Sequence, residues 1–173
     1  KYDKSINHFE KALAVHRNLL GEKHSKVAMD YNNLGNAWIN KGKYDKAINY
    51  LEKALAVDQY FFGEEHPTVA RDLNNIGAAW AKKNKYDKAI EYLEKALAVD
   101  RKVFGDEHPR VAMRWNNIGG AWVLKGNNEK AIEYFVKALR VQNKKLGSDH
   151  PYTKMTRENL EEAKQRLKES QPQ

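Results

Sequence analysis

The sequence predicts an all-α protein, a row of antiparallel helix pairs giving about eight helices, and three observations carry that expectation. A segment of one wording appears four times, as YDKSINHFEKALAV (2–15), YDKAINYLEKALAV (44–57), YDKAIEYLEKALAV (86–99) and NEKAIEYFVKALRV (128–141). A second segment alternates with it, as GEKHSKVAMDYNNLGNAW (21–38), GEEHPTVARDLNNIGAAW (63–80), GDEHPRVAMRWNNIGGAW (105–122) and a degenerate GSDHPYTKMTRENLEEAK (147–164), with a period of 42 throughout. Both segments place apolar or small residues at steps of three and four, as in Tyr31, Leu34, Gly35 and Trp38 or Ala47, Leu51, Ala54 and Leu55, which is helical spacing; neither alternates like a strand.

Taken in chain order, residues 1–20 read as the second helix of a truncated pair. Ile6, Phe9, Leu13 and Leu20 would pack on a helix that precedes them, so further repeats or another domain are expected upstream. Full helix pairs follow at 25–62, 67–104 and 109–146. Pro67, Pro109 and Pro151 fall at the first helical turn, where a missing N–H is tolerated, and Gly63, Gly105 and Gly147 fall where the preceding helix should stop. Gly42, Asn84 and Gly126 mark the tight turn inside each pair. No breaker stands at Gln59, Arg101 or Asn143, so the second helices are expected to run on to about Phe62 and Phe104. At 150–169 the positions that a following helix would cover carry Arg157, Glu161 and Lys164. That helix reads as the polar cap a solenoid end requires, and residues 1–173 form one array.

These residues resemble the tetratricopeptide repeat. The pattern matches at Tyr31, Leu73 and Trp115, at the Leu-Gly or Ile-Gly pairs 34/35, 76/77 and 118/119, and at Trp38, Trp80 and Trp122; in the second helices it matches at Ala47/Leu51/Ala54, Ala89/Leu93/Ala96 and Ala131/Phe135/Ala138. Glycine and alanine let helix backbones approach, and the aromatics fill the wedge between hairpins. The 42-residue period exceeds the usual repeat of about 34. The wording at 66–97 resembles the kinesin light chain type, HPxVA…NNL…GKY…A…KAL. The resemblance implies a right-handed superhelical solenoid that holds extended peptides in a concave groove.

Composition excludes several classes. Cysteine is absent, which removes disulfides and thiolate chemistry and suits a reducing, cytoplasmic location. No apolar run approaches the ~20 residues of a membrane helix. The net charge of +8 favours acidic partners, yet the basic residues are interleaved with Asp and Glu through every repeat. His24, His66, His108 and His150 recur at the repeat period, but stacked helices lie ~8 to 10 Å apart and a zinc ion needs nitrogens at ~2.0 Å, so they are expected at helix starts and not as metal ligands. A catalytic site is ordinarily a unique convergence of groups. Here the acidic pairs repeat and no phosphate loop occurs, so no catalytic residue and no cofactor are expected. Trp38, Trp80, Trp122 and Trp115 fall on core positions, which leaves no platform for stacking bases.

The repeated asparagine pairs pose the functional question, because Asn is a poor helix-interior residue. On the repeat's own numbering the inner wall comprises Met29, Asn32, Asn33, Asn36 and Asn40, then Arg71, Asn74, Asn75 and Lys82, then Met113, Asn116, Asn117 and Leu124. Amides both donate and accept, so such a row suits the backbone of an extended peptide; the alternative is that one Asn of each pair bonds the neighbouring helix. The carboxylate-clamp subtype is matched at Asn36 and Asn75 but not at Asn32, Met113 and Asn117, where it carries Lys or Arg. The favoured reading is therefore a kinesin light chain-like adaptor for an extended, acidic peptide or protein segment. The alternative is a structural scaffold that meets an acidic cytoskeletal filament, an anionic membrane surface or its own kind through its basic exterior or its N-terminal helix.

Overall fold

The computed structural model describes residues 2–170, and within them all regular structure is helical. Eight helices follow in order: α1 (Tyr2–Leu20), α2 (Ser25–Asn40), α3 (Tyr44–Phe62), α4 (Pro67–Lys82), α5 (Tyr86–Phe104), α6 (Pro109–Lys125), α7 (Asn128–Lys145) and α8 (Pro151–Ser170). Each packs on its neighbours in the chain, and the first helices of successive pairs also meet, α2 on α4, α4 on α6 and α6 on α8. They form one layer of the solenoid. The second helices α1, α3, α5 and α7 form the other.

Local chemistry sets the helix ends. His24, His66, His108 and His150 each turn Nδ1 onto the backbone N–H two residues ahead, at 3.1 to 3.2 Å. They cap α2, α4, α6 and α8, satisfying one of the donors a helix start leaves free. His66 and His108 also stack on Phe62 and Phe104 with ring centroids 4.4 and 4.5 Å apart. At the turn inside each pair, the backbone reaches φ values of 75° at Gly42, 61° at Asn84 and 88° at Gly126. This left-handed residue lets the next N–H, of Lys43, Lys85 or Asn127, reach back to the carbonyl of Trp38, Trp80 or Trp122 at 3.0 Å.

Packing between the layers depends on small residues. Leu34, Ile76 and Ile118 are fully buried beside Val27, Val69 and Val111. A Cβ placed on Gly77 would stand 2.8 Å from Leu93 Cγ, and one on Gly35 2.5 Å from Leu51 Cγ. Both distances lie far inside carbon–carbon contact. At the C-terminal end Thr153, Thr156, Leu160 and Ala163 of α8 are buried, whereas Arg157, Glu161 and Lys164 face solvent. Among the described residues no helix is long and apolar enough to cross a membrane.

Candidate functional site

The asparagines form a ladder along the first-helix layer. Asn75 Nδ2 donates to Asn32 Oδ1 at 2.9 Å, Asn117 Nδ2 to Asn74 Oδ1 at 2.7 Å, and Asn159 Nδ2 to Asn116 Oδ1 at 3.1 Å. Asn75 and Asn117, the second amides of their pairs, and Asn159 of α8 therefore reach back to the first amide of the preceding pair. Asn32 and Asn116 are buried, while Asn33, Asn74, Asn75 and Asn117 are partly so. At Asn32 and Asn116 the bond meets a polar group that burial would otherwise leave unsatisfied. Asn32, Asn74, Asn75, Asn116 and Asn117 thus bridge helices, and they enter any binding surface with one hydrogen bond already committed.

The rest of the wall divides by exposure. Met29, Asn36 and Asn40 on α2, Lys82 on α4 and Leu124 on α6 stand exposed, and Met113 is half-buried. Arg71 keeps 48% of its side chain exposed, yet Nη2 contacts Asp72 Oδ1 at 2.9 Å and Asp58 Oδ2 at 3.2 Å. It is a surface base tied to two buried acids.

Those acids belong to a set of polar pairs that sequence reasoning missed. At two of these junctions a buried or partly buried contact joins a second helix to the next first helix: His16 Nδ1 and Asp30 Oδ2 lie 2.6 Å apart, and Arg114 Nε donates to Asp100 Oδ2 at 2.8 Å. The same positions hold Asp58 with Asp72, and Gln142 with Thr156; all four of these side chains are buried. Burial, then a hydrogen bond to Asp72 and its charge, raise the pKa of Asp58 to about 7, against the opposing pull of Arg71. Desolvation pushes Arg114 below the usual guanidinium range, with Asp100 opposing it. The signal was present in the sequence as a charge at one fixed place in VAMDY, VARDL and VAMRW, on what is otherwise the apolar face.

Trp115 takes the core position expected of it, and two of the other three tryptophans do not. Trp38 is buried, but Trp80 and Trp122 are only half-buried. Two lysines lie over each ring at 4.3 to 5.3 Å: Lys41 and Lys46, Lys83 and Lys88, Lys125 and Lys130. The wedge sits at the edge of the solenoid, where the turn and the next helix supply cations to the indole faces. Lys41, Lys83 and Lys125 also pair with Asp3, Asp45 and Asp87 of the preceding second helix. Part of the basic charge is thereby held within the fold.

A layer of first helices shared across stacked pairs defines a class, the α-solenoid, whose extended wall contacts other proteins. Family models of the tetratricopeptide repeat match residues 1–59, 39–102, 73–122 and 111–152. The chain belongs to the tetratricopeptide repeat family, a class of protein–protein interaction module. No curated protein sequence matches it. Among solved structures it is similar to a Podosopora anserina protein described as a kinesin light chain with nearly identical TPR-like repeats, at 22% identity and TM-score 0.82, covering 98% of this chain and 80% of that one. BtubC (BKLC) from P. vanneervenii superimposes with TM-score 0.82 at 24% identity over 96% of this chain and 66% of its own. The apo form of RapI does so with TM-score 0.80 at 18% identity, over 98% and 59%.

Proposed function

We propose that the chain is a non-catalytic adaptor, kinesin light chain-like, which holds an extended, acidic segment of another protein along the wall formed by α2, α4 and α6. The observation that supports this reading most is the run of wall side chains left over from packing. Met29, Asn36, Asn40, Lys82 and Leu124 are exposed beside amides whose spacing the ladder fixes. A bonded ladder amide still has a free N–H and an acceptor lone pair, so Asn75 and Asn117 can serve a peptide backbone without reorganising. Methionine and leucine adapt to varied apolar side chains, and the excess of basic residues attracts acidic ones. The partner is sought in the cytoplasm, a cytoskeletal protein included.

The test is a polarisation titration with acidic peptides selected on the wild-type protein. Replacing exposed Asn36 with Leu and Lys82 with Gln should weaken capture at least tenfold, about 1.4 kcal/mol, with the melting temperature unchanged. The scaffold reading draws its support from Tyr2, Val15 and Leu19, which are exposed on α1. It gains if the double variant binds like wild type while added salt or dispersed Lys changes abolish association.

A further inference from the structure

Between the first turns of α4 and α6 the wall opens into a basin of about 410 Å³, lined by Pro67, Thr68, Arg71, Arg110, Met113 and Arg114. Two helix N-termini meet there, and each adds partial positive charge. The three guanidiniums differ in their freedom. Arg114 is 9% exposed and locked to Asp100, whereas Arg71 and Arg110 keep 48% and 38% of their side chains open to solvent. Arg110 lies 3.5 Å from Asp100 Oδ1 and donates to the Pro67 carbonyl at 3.2 Å.

Beneath the arginines three carboxyls are buried, Asp58 of α3, Asp72 of α4 and Asp100 of α5. Asp72 Oδ1 accepts from Asn32 of α2 at 2.6 Å and from Arg71, while its Oδ2 has no other partner and is free to accept a proton carried by Asp58. The groups around this carboxyl pair are therefore Arg71 from α4, the neutral Asn32 from α2 and, across the basin, Asp100 of α5 with Arg110 and Arg114 of α6. With one proton on the pair, three arginines face two ionised carboxylates. Once that proton leaves they face three. The equivalent positions in other repeats hold His16 with Asp30 and Gln142 with Thr156, so the fold does not require an acid opposite an acid.

We infer that the Arg71–Arg110 basin binds one oxyanion, a carboxylate or phosphate, together with one proton on the Asp58–Asp72 pair. An anion that draws the Arg71 guanidinium towards the basin removes the charge that helps Asp58 ionise, so Asp58 takes up a proton. By linkage the same proton strengthens anion binding. Asp58 titrates near pH 7 in the unliganded protein, which places the effect between pH 6 and 8. The inference deepens the groove reading and rests on it for the source of the anion, a residue of the bound segment, but not for the anion site itself.

The experiment follows the arginine Nε–Hε resonances during titration with sulfate and, separately, with N-acetylglutamate amide, at constant ionic strength. Both probes keep their charge from pH 6 to 8. Saturable shifts at Arg71 and Arg110, with a Kd about threefold to tenfold weaker at pH 8 than at pH 6, are expected. Asp58→Asn should bind equally at both pH values, as tightly as wild type at pH 6; an amide occupies the equivalent position at Gln142. Should that variant melt well below wild type, Asp72→Asn is read in its place. Arg110→Gln should abolish the shifts. Response to sulfate alone assigns a phosphate source, and response to the glutamate probe alone assigns a carboxylate. Absence of saturable shifts with either probe, a pH-independent wild-type Kd, or pH dependence surviving in both carboxyl variants overturns the inference. If selected peptides bind without pH dependence, the basin fails and the groove reading stands; if sulfate binds as described but no peptide is captured, the groove reading fails alone.

Discussion

Asn75 and Asn32 show how one side chain can be both structural and available. Replacing Asn75 with Leu removes the donor to a buried Oδ1, and an orphaned buried acceptor costs ~1 to 3 kcal/mol. We expect a urea melt of Asn75→Leu to show that loss whether or not peptide binding changes, which makes the exposed Asn36 the cleaner probe of function. Asp58 provides a second prediction at this scale. Its pKa is about 7 in the native protein and near the ordinary carboxyl value of 3.8 once unfolded. Between those values the native state holds a proton that the unfolded chain lacks, so this group's contribution to stability falls as pH rises through the window and levels off above about 7. The melting temperature of Asp58→Asn should therefore gain on wild type as pH goes from 5 to 8; a constant difference across that range would refute the shared proton. The sequence made the Asn pairs conspicuous because they repeat. It hid the acid pair, because Asp58 and Asp72 lie 14 residues apart on different helices and only the stacking of α3 on α4 brings them together.

At the scale of helices, packing faces were readable because backbone proximity leaves a mark in composition. Gly77 opposite Leu93 is one such mark. Gly77→Leu should overpack the α4–α5 contact and cost ~1 to 3 kcal/mol, read as a lower melting temperature with helical content retained. The α5–α6 contact carries a different kind of commitment in the buried Arg114–Asp100 pair. Arg114→Met alone strands a buried carboxylate, a change that typically costs ~3 to 5 kcal/mol, moderated here by Arg110 at 3.5 Å. Adding Asp100→Leu should recover most of that loss. If the double variant were no more stable than the single, the pair would be specifying the fold by more than its charge. The edge placement of Trp80 and Trp122 was not legible, since an aromatic at a repeat position looks the same whether helices cover it on both faces or lysines cover one.

For the molecule as a whole, the decisive property is that each helix touches its chain neighbours and, within the first-helix layer, the next repeat along. Stability should then be close to a sum of repeat and nearest-neighbour terms, and damage at one end should stay there. Leu160 of α8 tests this, being buried in a cluster with Ala131, Phe135 and Ala163. Leu160→Ala removes a core side chain from the last interface, a change that commonly costs ~2 to 5 kcal/mol. Native-state amide exchange should speed up across α7 and α8 while α2 and α3 keep their wild-type protection, because no contact carries the loss past α6. The wall from α2 to α4, with Met29, Asn36 and Asn40 on it, would remain ordered even with the cap frayed. Equal acceleration in α2 would show instead that the array unfolds as one cooperative unit, and that the ladder from Asn32 to Asn159 couples the repeats over their full length. Peptide capture by Leu160→Ala separates the two outcomes functionally. A repeat-wise array should keep its wild-type affinity at 25 °C, whereas a single cooperative unit should lose binding in step with the fraction unfolded.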